Sequence, residues 1–293
     1  MLFNSLQFLL FFIIVCSVYY VLPLILRWLW LLIASCYFYA VLNPYYLLIL
    51  ATAIGVDFCC GMALSITENN LLRKWILAMS ILSNIAILGY FKYYNFFIDN
   101  LTSFSSAIGA HTHYNYLSLV LPIGLSFHTF QSMSYCIEVY RKRQAPEKNL
   151  LVFALYVMFF PQLVAGPIER PYNLLGQLKV FQKFSSENIK SGLLLIGWGL
   201  FKKVVISDRL AFYVNDVFKS HTHYSSLALF ISIIFFAFQI YCDFSGYSDM
   251  ARGTAKVMGY NLMINFNTPY FSSSLKEFWT RWHISLSSWF RDY

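Results

Sequence analysis

The chain has 293 residues, of which 59% are hydrophobic, 20% aromatic and only 12% charged. Soluble domains carry about 25% charged residues, so this composition excludes an ordinary water-soluble domain. The net charge of +8 does not argue for nucleic acid, because the basic residues gather in short loops between apolar stretches, as the positive-inside bias of membrane proteins produces.

No Asp, Glu, Lys or Arg occurs before Arg27, from Trp28 to Val56, or from Asn100 to Ile137. Crossing a bilayer core takes about 20 apolar residues per helix, and each gap holds one or two such helices. The first predicted span covers residues 3–26. Met1-Leu2-Phe3-Asn4 lacks a basic start and no small-residue cleavage site follows Val15, so this span reads as retained and not as a signal peptide. Further spans are predicted over 28–42, 45–64, 75–97, 116–137, 191–207 and 225–247, with Asn43-Pro44 as a tight turn between the second and third. Arg27, then Arg73 and Lys74, then Arg141, Lys142, Arg143 and Lys148 fall in alternate connections. This pattern predicts an outside N-terminus and a cytoplasmic 138–148 loop.

Residues 149–168 are apolar but flanked on both sides by basic residues, and Pro161, Gly166 and Pro167 interrupt their second half. A re-entrant hairpin keeps both basic flanks inside, and broken backbone at membrane depth survives only against protein or a wet cavity. Residues 276–293 read as one interfacial amphipathic helix. At 100° per residue Phe278, Trp282, Leu286, Trp289 and Tyr293 share a stripe, Lys276, Thr280, His283, Ser287 and Arg291 form another, and Glu277 can pair with Arg281. The fold class is therefore all-α: a polytopic transmembrane protein of one domain, with a re-entrant segment and an interfacial helix.

Ionisable groups in or beside spans are functional candidates by default. Asp243 and Asp249 either face a wet cavity or pair with Arg252 and Lys256 to fix a helix end. Lys202 and Lys203 are expected to snorkel. His283 can serve as a general base, since imidazole titrates near neutrality, or as a structural residue; His128 reads as a hydrogen-bonded packing residue. The pairs His111-Thr112-His113 and His221-Thr222-His223 could ligate zinc only if they converged across 110 residues, so no metal site is predicted. The six cysteines lie in or at the ends of apolar spans without ligand spacing and read as packing residues. These patterns alone leave transporter, channel, scaffold and enzyme open.

Three blocks narrow the choice. Phe159-Phe160-Pro161-Gln162-Leu163-Val164-Ala165-Gly166-Pro167-Ile168, Tyr241-Cys242-Asp243-Phe244-Ser245-Gly246-Tyr247-Ser248-Asp249-Met250-Ala251, and Asn265-Phe266-Asn267-Thr268-Pro269-Tyr270 through Phe278-Trp279-Thr280-Arg281-Trp282-His283-Ile284-Ser285-Leu286-Ser287 stand in order. They resemble the membrane-bound O-acyltransferases, in particular the bacterial alginate O-acetyltransferase branch. The resemblance implies a helical tunnel enzyme of the bacterial inner membrane that binds no resident cofactor and uses acetyl-coenzyme A or another acyl thioester as donor. It implies an extracytoplasmic SGNH-type partner and a polysaccharide acceptor, with D-alanyl transfer to teichoic acid as the related alternative. His283 matches the first of the family's two motif histidines and becomes the expected catalytic residue. Gln162, Asp243, Arg281, Trp282 and Ser285 are expected to line the tunnel. The family's second histidine lies further downstream than Tyr293, so residues 1–293 read as the N-terminal part of such an enzyme, inactive by themselves.

Overall fold

Caps and prolines set the element boundaries. In the computed structural model, which describes residues 1–41, 43–107, 109, 116, 124–164 and 166–293, Ser5 accepts the Phe8 amide at 3.1 Å and opens α1, Leu6–Val21. Pro23 separates it from α2, Leu24–Ala40. The break between the first two spans therefore falls at Leu22-Pro23 and not at Arg27, which rides in the first turn of α2: proline, not charge, ends the helix. After Asn43-Pro44 comes α3, Tyr45–Ile66. Asn69 accepts the Leu71 and Leu72 amides to open α4, Asn70–Leu88, which runs through a π-helical turn at Gly89–Tyr93 into α5, Tyr94–Ala107. His111 and His113, and residues 117–123 of the fifth expected span, lie outside the described residues. From Gly124 onwards the chain is helical as α6, Leu125–Tyr140.

The interruption expected within 149–168 is present. α7, Leu150–Met158, has nine residues and is about 14 Å long, under half of a bilayer core of about 30 Å. The chain then turns and continues to α8, Pro171–Lys179, with proline at its first position where the missing N–H is harmless. Phe153, Leu155, Tyr156, Phe159, Phe160 and Leu163 are fully buried, and α7 packs against α2, α3, α6 and α8. Its last carbonyls are capped by side chains: Tyr156 O accepts Gln131 Nε2 at 2.6 Å and Gln162 Nε2 at 2.8 Å, and His128 meets the Val157 carbonyl. Gly124, at φ +80°, lies so close that a Cβ there would stand 2.3 Å from the Leu163 carbonyl oxygen. His128 is thus a hydrogen-bonded packing residue, as its sequence context suggests.

The second half is a long antiparallel pair. α9, Ser186–Leu200, passes through a π-helical turn at Phe201–Ser207 into α10, Asp208–Lys219; a short 3₁₀ turn at His221–His223 leads to α11, Ser226–Val257, which returns along α9. Among the described residues there is no strand. Three continuous helical runs, Tyr45–Ile66, Asn70–Ala107 and Ser226–Val257, are long and apolar enough to cross a membrane, and Leu6–Val21 and Ile25–Ala40 are shorter apolar helices. Outward-facing Leu6, Leu48, Leu194 and Ile233 are exposed. Apolar faces of that extent suit lipid and not water.

The chain ends in α12, Leu275–Arg281, and α13, Ile284–Asp292. The single amphipathic helix expected over 276–293 is therefore two helices. His283 stands between them in the left-handed region, φ 44° and ψ 53°, and Asn265 fixes the break by accepting the Ile284 amide at 2.9 Å on its backbone carbonyl. A helical period cannot reveal this, because the residue that interrupts it lies nearly twenty positions upstream.

Candidate functional site

The break at His283 gathers most of the residues singled out in the sequence. Residues 265–267 lie alongside it: the Asn267 amide donates to the Arg281 carbonyl at 2.9 Å, and Asn265 Oδ1 accepts both the Ser285 amide at 3.1 Å and the Ser285 hydroxyl at 2.8 Å. Ser285 and Asn265 are both buried. Three hydrogen bonds from the chain just after His283 to one asparagine hold its unusual backbone. Asn265, within the third sequence block, is the positioning residue that the sequence reading did not single out.

The walls of the break are aromatic. His283 packs edge-to-face on Phe244 of α11 at 4.7 Å and lies 6.1 Å from Phe127 of α6. Trp282 stacks on Phe278 at 5.5 Å and stands among Phe266, Tyr241 and Tyr270 at 5.1, 6.2 and 6.0 Å. A cleft of about 310 Å³, bounded by Phe238, Tyr241 and residues 268–271, opens beside this cluster. His283 Nε2 is enclosed and has no hydrogen-bond partner among the described residues. Burial pushes the imidazole down to about 4, so the ring is neutral at physiological pH. A neutral imidazole with an unpartnered nitrogen can accept or donate one hydrogen bond to a group entering the site.

Arg281 turns the other way. It pairs with Glu277 at 2.6 Å, as the i,i+4 spacing predicts, and reaches the Thr268 hydroxyl at 3.5 Å. Asp243 precedes Phe244 but points to Lys203, 2.5 Å away, and Lys203 also meets Asp208 at 2.9 Å. Lys202 is buried, with its ammonium 2.5 Å from Asp249 and 3.0 Å from the Ser245 hydroxyl. The expected snorkelling of Lys202 and Lys203 is thus corrected: α11 supplies carboxylates within the helix pair, and an ion pair there outcompetes the reach for water. Asp249 also meets Arg252, at 3.4 Å. Gln162 spends its amide N–H on the α7 cap. Trp282, His283 and Ser285 therefore form one group, which Arg281 joins only through its backbone carbonyl, while the side chains of Arg281, Asp243 and Gln162 have partners elsewhere.

A second polar cluster locks α13 to the α7–α8 connection. Arg170, buried, donates to Asp292 at 3.0 Å and to the Ser288 hydroxyl at 3.4 Å, and lies 4.9 Å over the Tyr293 ring. Its neighbour Glu169 accepts from Asn173 at 2.6 Å and from the Met263 amide at 2.5 Å, and burial pushes its carboxyl up to about 7. Glu169 and Arg170 follow the first sequence block immediately, which is the signal that could have identified them. Among the described residues no group of three or more His, Cys, Asp or Glu side chains could hold a metal ion.

The sequence profile of the MBOAT, membrane-bound O-acyltransferase, family matches residues 142–293, just over half of the chain, and these residues contain the α7–α8 connection, α11 and the break at His283. The chain belongs to the membrane-bound O-acyltransferase family. It is 38% identical over 269 residues to a probable alginate O-acetylase AlgI of Pseudomonas aeruginosa, covering 90% of this chain and 50% of that protein. It is 34% identical over 291 residues to a peptidoglycan O-acetyltransferase of Helicobacter pylori, covering 90% of this chain and 54% of that protein. A teichoic acid D-alanyltransferase of Bacillus subtilis is 32% identical over 181 residues, 60% of this chain and 45% of that protein. The chain thus spans about half the length of the curated relatives it matches. As a member of a membrane-bound family with long apolar helices, it is a membrane protein.

Proposed function

We propose that these residues serve membrane O-acyl transfer, in which an acetyl group passes from a cytoplasmic thioester donor, acetyl-coenzyme A or an equivalent, towards an exported polysaccharide. The observation that carries this reading is similarity to two proteins named as O-acetylases or O-acetyltransferases along 90% of the chain. On this reading the protein is multi-pass in the bacterial cytoplasmic membrane. An SGNH-type extracytoplasmic partner receives the acetyl group, and His283 belongs to the reaction site.

The geometry supports a particular role for His283. A base working at neutral pH is best tuned near 7. An imidazole held near 4 is a poor proton store but a good hydrogen-bond partner. We assign it to orienting the reacting thioester or hydroxyl through Nε2, with Trp282 and Phe244 excluding water around it, and we place Ser285 and Asn265 behind it as positioning residues. The test is to follow labelled acetyl into polymer in cells carrying the complete reading frame. His283→Ala should abolish labelling while leaving membrane insertion unchanged; full labelling in that variant removes His283 from the site. D-alanyl transfer is the second reading, favoured by the similarity to the teichoic acid D-alanyltransferase. Labelled D-alanine in the polymer, in place of acetyl, selects it.

A further inference from the structure

Arg27 is a buried cation whose charge no carboxylate among the described residues answers. It is 8% exposed. Its Nε donates to Leu22 O at 2.9 Å, Nη1 to Gln182 O at 2.8 Å and Nη2 to Tyr20 O at 3.3 Å. Its guanidinium lies 5.0 Å from the Tyr19 ring and 4.6 Å from the Phe181 ring. These bonds cap the end of α1 and tie it to the segment after α8, but they all go to uncharged groups and leave the charge unpaired. Removing an unpaired ion from water is expensive, and within membrane proteins such groups face a partner or a wet cavity.

The cavity is present. It encloses about 250 Å³ between the α1–α2 hairpin, Val152 of α7, the end of α8 and Tyr260. Arg27 and Lys179 are the charged residues on its wall, both cationic, and Trp28, Ile25 and Val180 complete it. Lys179 pairs with Glu147 at 2.5 Å, but its side chain is 54% exposed and an ammonium has three donors to share. Ile25 and Val180 are 76% and 61% exposed, which gives the cavity an apolar rim on the outside of the helices. A cationic floor, a tryptophan and an apolar rim at one mouth match the phosphate, headgroup and acyl start of a lipid at the interface.

We propose that this cavity binds the phosphate of an anionic phospholipid, with Arg27 as its fixed cation and Lys179 as its second donor. The assignment is independent of the acyl-transfer reading, since none of these residues belongs to the His283 group. Bound lipid would hold α1, α2 and the α8 end together. A free phosphate offers the same chemistry without acyl chains, so the rim is what favours lipid.

The test is thermal unfolding of the detergent-purified chain with added dioleoylphosphatidylglycerol, dioleoylphosphatidylcholine, inorganic phosphate or coenzyme A. The anionic lipid should raise Tm by about 5 °C at a hundredfold excess over its Kd, and the zwitterionic lipid should not. Arg27→Gln should abolish the rise. Val180→Trp, which adds bulk at the rim and leaves both cations in the sequence, should weaken the apparent lipid affinity at least about tenfold; it decides the matter if Arg27→Gln does not fold. Equal effects of both lipids, the same rise from inorganic phosphate or coenzyme A alone, or unchanged lipid affinity in Val180→Trp each overturn the proposal.

Discussion

At the scale of residues, burial of His283 has a consequence for stability as well as chemistry. The folded ring titrates near 4 and the unfolded one near 6.5, so between those values the unfolded chain binds a proton that the folded chain refuses. Stability from the neutral ring is complete above about pH 6.5 and declines as pH falls towards 4, by at most about 1.4 kcal/mol per pH unit. His283→Gln should therefore lose less Tm than the parent chain between pH 7 and pH 4.5; an equal loss would show that the ring titrates normally. Asn265→Ala removes the acceptor of two Ser285 donors in a buried place, and should lower stability by about 1–3 kcal/mol in chemical denaturation. Asn265→Asp, which keeps the acceptor, should lose less. The sequence block that contains His283 is legible as one of the family's. The left-handed backbone of His283 is not, because a non-glycine residue at positive φ is uncommon and here depends on Asn265, distant in sequence.

At the scale of elements, the α9–α11 pair shows how close approach and charge reinforce each other. Gly192 faces Gly253 and Gly199 faces Gly246, reciprocally: a Cβ on Gly199 would stand 2.6 Å from the Gly246 carbonyl oxygen, and one on Gly253 would stand 2.6 Å from that of Gly192. The glycines lie seven residues apart on each helix, and small residues at such spacing let membrane helices touch backbone to backbone. One turn onward the same approach brings Lys202 and Lys203 within reach of Asp249 and Asp243. Gly199→Ala should push the helices apart and lower the unfolding free energy by about 1–3 kcal/mol. Gly197→Ala meets nothing within 4 Å and should be neutral or stabilising by up to about 1 kcal/mol. Similar Tm values for the two variants would refute the close-approach account. The interrupted character of 149–168 could be read from its prolines, whereas the helical run that holds the expected span 191–207 is not among the three long and apolar enough to cross a membrane. The lysine pairing could not be read, because sequence pattern carries no information about which helix lies opposite. The same blindness passed over Asp57, buried in α3, which accepts Ser80 at 2.6 Å and Asn84 at 2.9 Å from α4.

At the scale of the whole molecule, basic residues far apart in sequence converge on one end. Arg73 donates to Tyr140 O at 2.7 Å, Arg141 to Asp292 O at 2.9 Å and Arg170 to the Asp292 carboxylate. Lys179 pairs with Glu147, and Arg27 reaches Gln182. The Arg73, Lys179 and Arg27 contacts join basic connections to one another, and Asp292 of α13 bridges Arg141 and Arg170, so the fold assembles these connections into one surface although the loops alternate along the chain. The turn at His221–His223 lies at the far end of the α9–α11 pair. A basic surface at one end and a turn at the other give a sidedness that can be measured, since excess Lys and Arg on one flank biases insertion. With exposed Cys59 changed to Ala, Thr222→Cys should react with a membrane-impermeant maleimide on intact cells, whereas Ala145→Cys should react only after permeabilisation. Labelling of both positions from outside would break the link between the basic end and the cytoplasm. Reversed labelling would turn the molecule over and move the α7–α8 connection, with Arg170 and the tail of α13, to the outer face, where a cytoplasmic thioester could not approach the His283 break from that end.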